Sequence, residues 1–279
     1  MRDLQDPLHD PVTAPPFETD GTLPLPDHLA GAVMLLGSFD GMHRGHAALV
    51  AVARAEAARR AVPLAILQCD PHPRLYFAGP SRFRIAAGSA RDRLLAAAGI
   101  GLVYAPRFDA AFAATPADAF VDRILHDRLR LGAVVVGPDF RFGRGREGTV
   151  AGLVARAGRH GIAVRVLDEQ RACGRRISSS AIRAAIRDGR LAEAIALLGH
   201  GWSTPLRAAA PGEGTRWHFA PDQLLPPAGR WPVTARDGAG RTLARTTIDL
   251  CPDGSARAAL PRATDSLDWH APPSDGDPK

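Results

Sequence analysis

Five short, nearly continuous apolar runs, separated by helix-patterned segments, constrain this chain more than any other feature. They are Gly31–Gly37 (GAVMLLG), Pro63–Cys69 (PLAILQC), Gly101–Ala105, Ala133–Gly137 (AVVVG) and Ile162–Leu167. A strand with one face in water alternates apolar and polar residues. A strand that is apolar along its whole length is buried on both faces, which is the situation in a parallel sheet covered by helices on each side. The intervening segments predict helices at His46–Arg60, Ser89–Ala98, Pro116–Arg130 with Thr115 as N-cap, and Thr149–His160. Ser179–Asp188 and Leu191–Leu198 read as two closing helices. The expected fold class is therefore α/β around a parallel sheet. Ligands on such sheets bind beyond the carboxyl ends of the strands, where strand order reverses.

After Gly199 the texture changes. Prolines and glycines multiply and the helical period is lost, while Trp231–Ala235 and Thr246–Leu250 read as strands. The chain thus divides into a flexible N-terminal segment (1–30), a sheet unit (31–199) and a short C-terminal segment (200–279) that is small and β-rich or irregular. Pro272–Lys279 reads as a disordered tail. No apolar run approaches the roughly 18 residues that span a bilayer. Met1–Leu29 is rich in proline and acids and lacks a hydrophobic signal core. A cytoplasmic protein with no membrane partner is expected.

Composition excludes further classes. The three cysteines, Cys69, Cys173 and Cys251, are far apart and form neither a disulfide framework nor zinc spacing. The net charge of +6 comes almost wholly from arginine, because Lys279 is the one lysine. No internal lysine exists for a Schiff base, a P-loop or a kinase phosphate clamp. The basic residues are scattered and aromatics make up 6%, so no nucleic-acid partner is expected. There is also no asparagine.

Two constellations carry chemistry. After the first apolar run comes Gly37-Ser38-Phe39-Asp40-Gly41-Met42-His43-Arg44-Gly45-His46, and a helix begins. Histidines three apart share one face of the first turn. Unpaired backbone N–H groups and the helix dipole favour an anion there, and Gly45 removes a side chain where a ligand needs close backbone approach. The second constellation, Ile177-Ser178-Ser179-Ser180-Ala181-Ile182-Arg183, opens a later helix. Its serines read as N-cap and as hydroxyls for phosphates, with Arg183 one turn in as the cation. Together they suit nucleotidyl transfer, in which positioning and hydrogen-bond donors do most of the work. His46 is assigned to the α-phosphoryl oxygens and His43 to the phosphate chain. Replacing His46 by alanine is expected to lower turnover and to leave stability almost untouched.

These motifs resemble the H-x-G-H and I-S-S-T-x-I-R nucleotidyltransferases. Their order and spacing are similar to the adenylyltransferase part of bacterial bifunctional FAD synthetases (riboflavin kinase/FMN adenylyltransferase), over about Val33 to Leu198. Asp70-Pro71-His72-Pro73-Arg74, Arg107-Phe108-Asp109 with Phe112, and Val136-Gly137-Pro138-Asp139-Phe140-Arg141-Phe142-Gly143 match further segments of that family. The resemblance implies a Rossmann-like nucleotidyltransferase fold, ATP and FMN as substrates, Mg²⁺, and FAD with pyrophosphate as products. It places His43, His46, Ser179 and Arg183 in catalysis. Gly37, Ser38, Phe39, Asp40, Gly41, Gly45, Ser178 and Ser180 fall at the ATP, and Pro71, His72, Pro73, Asp139, Phe140 and Phe142 at the flavin. Metal ligands and oligomeric state are not assigned.

The chain departs from the family pattern at Ser38, where asparagine is usual, and at Ser180, where threonine is usual. It also departs near Cys69, where phenylalanine is usual, and at Thr149, where aspartate is usual. The kinase half of that family carries a P-T-A-N motif at its metal-nucleotide site, and this chain has no asparagine. The 200–279 segment is short for the kinase barrel. It is expected to be a reduced remnant without riboflavin kinase activity.

Three other readings stand beside this one. Gly143-Arg144-Gly145-Arg146-Glu147-Gly148, with Asp168 about twenty residues on, fits a dinucleotide fingerprint. That fingerprint should begin at the strand end, however, and five residues intervene. The same fold also adenylylates or cytidylylates other phosphorylated acceptors. Finally, a non-catalytic flavin- or nucleotide-binding regulator would explain the loss of kinase motifs.

Overall fold

The computed structural model describes residues 16–167, 171–172, 175–209 and 215–272. The expected flexible lead-in and disordered tail fall partly outside these residues, and Asp168 and Cys173 wholly so.

One sheet holds β1 (Phe17–Thr19), β2 (Val33–Leu36), β3 (Leu64–Leu67), β4 (Ile100–Tyr104), β5 (Ala133–Val136) and β6 (Ala163–Val166). Its order is β1-β4-β3-β2-β5-β6, and all neighbours run parallel. The helices are α1 (Ala47–Arg60), α2 (Pro73–Ala78), α3 (Gly88–Ala97), α4 (Ala110–Ala113), α5 (Ala117–Ala119), α6 (Val150–Arg159), α7 (Ser179–Arg187) and α8 (Leu191–Leu198). The continuous apolar runs have the expected cause. Val33, Leu35, Ile66 and Val135 pack against Leu49 and Ala53 of α1 on one face. Met34, Leu36, Val134 and Val136 pack against Leu153 and Ala157 of α6 on the other. The sheet is Rossmann-like. The chain leaves β2 outward through β3 and β4, then returns to add β5 and β6 on the far side of β2. The crevice of this reversal opens between the carboxyl ends of β2 and β5.

Several elements differ from the sequence expectation. Phe17–Thr19, placed in the flexible lead-in, pairs with β4 as an edge strand. The helix expected over Pro116–Arg130 begins as α5 and continues as a π-helix over Phe120–Arg128. Thr115 does not cap it: its hydroxyl donates to Ala111 O (3.4 Å), and the Ala117 N–H donates to Glu147 Oε1 (3.0 Å). The loop that mimicked a dinucleotide fingerprint forms a single 3₁₀ turn over Arg144–Arg146. Gly143 there has φ +73°, and a Cβ would lie 2.7 Å from Ala117 N, so this glycine serves the chain's own packing.

After a two-stranded ribbon of β7 (Arg171–Ala172) and β8 (Arg175–Arg176), the C-terminal segment supplies six more strands. These are β9 (Trp202–Ala208), β10 (Arg216–Phe219), β11 (Gly229–Arg236), β12 (Thr242–Leu250), β13 (Ser255–Arg257) and β14 (Ser266–Trp269). They close into an antiparallel barrel of order β10-β13-β12-β11-β14-β9. The segment judged short for the kinase barrel still closes a barrel of six strands. Large side chains let few residues fill it: Trp202, Trp217, Trp231, Trp269 and Phe219 are buried together. Ile182 and Ile186 of α7 and Leu191 and Leu198 of α8 belong to the same cluster. The barrel thus shares its core with the helices that close the sheet unit.

Candidate active site

The crevice opens into a cavity of about 930 Å³. The first motif enters it directly from β2. Arg44–His46 forms one 3₁₀ turn that runs into α1. The two histidine rings stack at 3.6 Å between centroids, and both are buried, at 3% and 8% exposure. Phe39 packs on the outer face of His46 at 4.7 Å. Burial, then the neighbouring His43, pushes the His46 pKa well below its ordinary value, and a Ser38 backbone hydrogen bond opposes this weakly. His46 is therefore neutral at pH 7, offering one donor and one acceptor nitrogen. Its Nδ1 has no hydrogen-bond partner among the described residues.

The second motif meets the first here. Ser178 caps α7 by accepting from Ala181 N–H at 3.2 Å. Ser179 Oγ lies 3.1 Å from His43 Nε2, across 136 residues of chain. Ser180 lines the cavity and is exposed. Arg183, one turn into α7, is 5% exposed. Its Nε donates to Phe83 O (2.9 Å) and its Nη2 to Asp40 Oδ2 (2.7 Å). The guanidinium lies 3.7 Å from the Phe83 ring centroid. Burial lowers the Arg183 pKa and Asp40 raises it. The guanidinium stays charged at any neutral pH.

Asp40, in the cavity wall, is engaged within the protein. Its carboxylate accepts from Ile85 N–H and Ala86 N–H as well as from Arg183. An anion so engaged orients the cation beside it. Gly45 likewise faces its own chain, because a Cβ there would lie 2.8 Å from Ile177 O and 3.0 Å from the His43 ring. Of the residues assigned from sequence, Gly45 and Pro71 stand outside the cavity wall. The rest line it: Gly37, Ser38, Phe39, Asp40, Gly41, His43 and His46 from the first motif, and Ser178, Ser179, Ser180 and Arg183 from the second. His72, Pro73, Asp139, Phe140 and Phe142 complete the set.

His72 caps α2: its Nδ1 accepts from Arg74 N–H (3.1 Å), and its Nε2 lies 3.3 Å from Ser38 Oγ. Burial is the main reason its pKa falls to about 4. Asp40 opposes the shift, and Arg183, Arg84 and Arg74 add to it. Phe140 and Phe142 stack at 5.5 Å, and Phe142 is 8% exposed against Phe120, so Phe140 is the more open of the two rings in the wall. Cys69 is in the wall, and burial pushes its thiol up to about 12, which keeps it protonated at neutral pH.

Sequence reasoning missed an aromatic wall. Phe108 lies 5.8 Å from Phe77 and 5.7 Å from Phe112, and all three rings line the cavity. Phe77 is 72% exposed at the rim. The signal was present in Arg107-Phe108-Asp109 with Phe112, but nothing local told ring-to-cavity from ring-to-core. Phe83 was missed as well, because its segment has no periodicity.

The FAD synthetase family model matches residues 25–181. The bifunctional riboflavin kinase/FMN adenylyltransferase of Escherichia coli strain K12 is 39% identical over 173 residues, 61% of this chain and 55% of that protein. The protein of that description from Listeria monocytogenes is 34% identical over 200 residues, 71% of this chain and 60% of that protein. A putative protein of that kind from Geobacillus thermodenitrificans is 37% identical over 174 residues, 61% of this chain and 91% of its own length. The chain spans little more than half the length of the Escherichia coli relative. A crystal structure described as a macrolide-efflux protein from Streptococcus pneumoniae superposes with a TM-score of 0.73 at 22% identity. It covers 91% of this chain and 96% of that one, and so shares the fold of sheet and barrel alike. With its model matching more than half of the sequence, and with both motifs meeting in one crevice, this chain belongs to the FAD synthetase family.

Proposed function

We propose that the protein transfers AMP from ATP to FMN, giving FAD and pyrophosphate, and that it does not phosphorylate riboflavin. The observation that carries this reading is the 3.1 Å approach of His43 to Ser179, which joins the two motifs at the mouth of an aromatic-walled cavity. In the reaction an FMN phosphate oxygen forms a bond to the α-phosphorus of ATP. The bond from that phosphorus to the bridging oxygen breaks, and pyrophosphate leaves with the electron pair. No covalent enzyme intermediate is needed. Neutral His46 donates to the α-phosphoryl oxygens, His43 and Ser179 hold the phosphate chain, and Arg183 and the α7 N-terminus supply positive potential. Ser178, engaged as a cap, fixes that N-terminus. The isoalloxazine ring takes the wall of Phe140, Phe108 and Phe112, with His72 and Pro73 beside it.

Magnesium fits as a passenger of the triphosphate. Among the described residues there is no group of three or more His, Cys, Asp or Glu placed to hold a metal, and Mg²⁺ with phosphate ligands needs only one or two carboxylates. Asp139, in the cavity wall, is the carboxylate in reach of that role. We assign the transferase to residues 31–199 and read 200–279 as a barrel without kinase chemistry, because the sequence has no asparagine for a P-T-A-N site. Such a reaction suits the cytoplasm, where both substrates are made. No helix among the described residues is long and apolar enough to cross a membrane.

The test is product analysis with purified protein and Mg²⁺. FAD and pyrophosphate are expected from FMN with ATP, with nothing from riboflavin with ATP and nothing from FMN with CTP. FMN formed from riboflavin would overturn the kinase claim. Absence of FAD would overturn the acceptor assignment.

A further inference from the structure

The barrel and the crevice touch the same five residues, Arg82 to Ala86. On the crevice side this strap is held by functional groups. Asp40 accepts from Ile85 N–H and Ala86 N–H. Arg183 Nε donates to Phe83 O, and its guanidinium covers the Phe83 ring. On the barrel side the strap is held as closely. Phe83 N–H and Arg84 N–H both donate to Asp222 O at 2.8 Å, and Leu224 N–H donates to Arg84 O at 2.9 Å. Trp202 Nε1 donates to Ile85 O at 2.8 Å. Gln223, fully buried, places Nε2 at 3.0 Å from Arg84 O, 3.3 Å from Ile85 O and 3.1 Å from Leu224 O. Three carbonyl oxygens around one amide terminus demand a donor, so the nitrogen has to face them.

We propose that Gln223, a barrel residue, is a positioning residue for the transferase site: its amide fixes the strap on which Asp40 and Arg183 are set. The barrel then has a task that needs no kinase activity, since its bonds to Phe83, Arg84 and Ile85 hold one side of the strap that carries the Arg183 partner Phe83 O. Buried donors with several acceptors are costly to displace, and displacement of a phosphate-binding cation by about 1 Å is enough to cost a large factor in rate. The role rests on the reading of Arg183 as a phosphate cation in the proposed function.

Gln223→Met keeps the volume and removes the donor. Its control is Ile248→Ala, a fully buried barrel residue that makes no hydrogen bond to the strap. Both are read by thermal melting, by steady-state FAD formation and by calorimetric ATP binding. Loss of folded protein lowers kcat and leaves KM unchanged, whereas a displaced Arg183 raises both the KM and the Kd for ATP. Gln223→Met is expected to raise KM and Kd for ATP about tenfold, and Ile248→Ala to leave them within about twofold at an equal loss of Tm. Wild-type KM and Kd in folded Gln223→Met would overturn the proposal, as would an equal rise in both variants. If Gln223→Met fails to fold, Trp202→Phe removes the bond to Ile85 O together with part of the ring that stacks on Trp269, and its KM and Kd are read against Ile248→Ala by the same criteria. A wild-type protein that binds ATP but forms no FAD sinks the proposed acceptor, while the Kd comparison still decides the role of Gln223. A wild-type protein that does not bind ATP sinks both.

Discussion

His43 Nε2 and Ser179 Oγ, 136 residues apart in the chain, lie 3.1 Å from each other. The contact ties the turn after β2 to the first turn of α7. Two helix N-termini and their unpaired N–H groups thereby converge on one volume. In the proposed reaction the two motifs act together on the phosphates, and their contact is why the reading includes a serine run that also serves as an N-cap.

Ser179→Ala removes the hydroxyl and leaves the Ser178 cap in place. The expected loss in kcat is about ten- to a hundredfold, at the low end of the cost of losing one transition-state donor, with Tm nearly unchanged. Steady-state FAD formation and a melting curve check both halves. An unchanged kcat would remove Ser179 from the catalytic set.

His46 needs a gentler substitution than sequence alone suggests. Its ring is 8% exposed, stacked on His43 and in tilted contact with Phe39. The sequence expectation that His46→Ala leaves stability untouched therefore fails on packing grounds, and a loss of about 1–3 kcal/mol is expected. His46→Gln retains bulk and a donor. Alanine should cut kcat by about two to four orders of magnitude, and glutamine should recover part of it. Wild-type kcat in both variants would show that the ring acts only as packing.

Much of this was legible from sequence because sheet burial is a local signal. Val33–Leu36 and Ala133–Val136 are apolar on both faces since both faces are covered, and the motifs follow such strands directly. What was illegible depended on distant partners. Phe17–Thr19 is a strand only because β4 offers it an open edge. β12 is fully buried only at Ile248 and Leu250, so its alternation is faint, and barrel closure rests on tryptophans contributed from four separate strands. The strap at 82–86 has neither period nor cap. Its conformation is set by Asp40 on one side and Asp222 and Gln223 on the other, which no local pattern encodes.

Acid should destabilise the fold before carboxylates titrate. His72 has its pKa lowered from 6.5 to about 4, chiefly by burial. A histidine that resists protonation when folded takes up a proton more readily when unfolded. Stability is therefore full above pH 6.5 and is lost as pH falls from about 6.5 toward 4. His46 acts in the same direction. Tm should drop between pH 7 and pH 5, and by less in His72→Gln. Identical drops in the two proteins would show that His72 titrates normally.

Gly45→Ala tests the contact between the motifs without touching a polar group. A Cβ would sit 2.8 Å from Ile177 O, backbone that cannot swing aside. The expected cost is about 1–3 kcal/mol, the range for forced overpacking, and kcat should fall because Ile177 precedes the serine run. A variant with normal Tm and kcat would mean that the two motifs are not tightly apposed.

Two ion pairs of equal length provide the last prediction. Arg183–Asp40 and Arg84–Asp70 are both 2.7 Å. The side chains of the first pair are 7% and 10% exposed, whereas Asp70 in the second is 73% exposed. Water screens the second pair, and exposed pairs are worth about 0–1 kcal/mol. In the first, loss of the carboxylate leaves a charged guanidinium uncompensated in a buried place, for which about 3–5 kcal/mol is typical. Asp40→Asn also weakens the acceptor for Ile85 N–H and Ala86 N–H, so the strap loosens with it. Chemical denaturation of Asp40→Asn and Asp70→Asn should therefore separate by about 2 kcal/mol or more, although the distances are the same. Comparable losses would mean that Arg183 finds water or another partner in solution, and that Asp40 does not orient it.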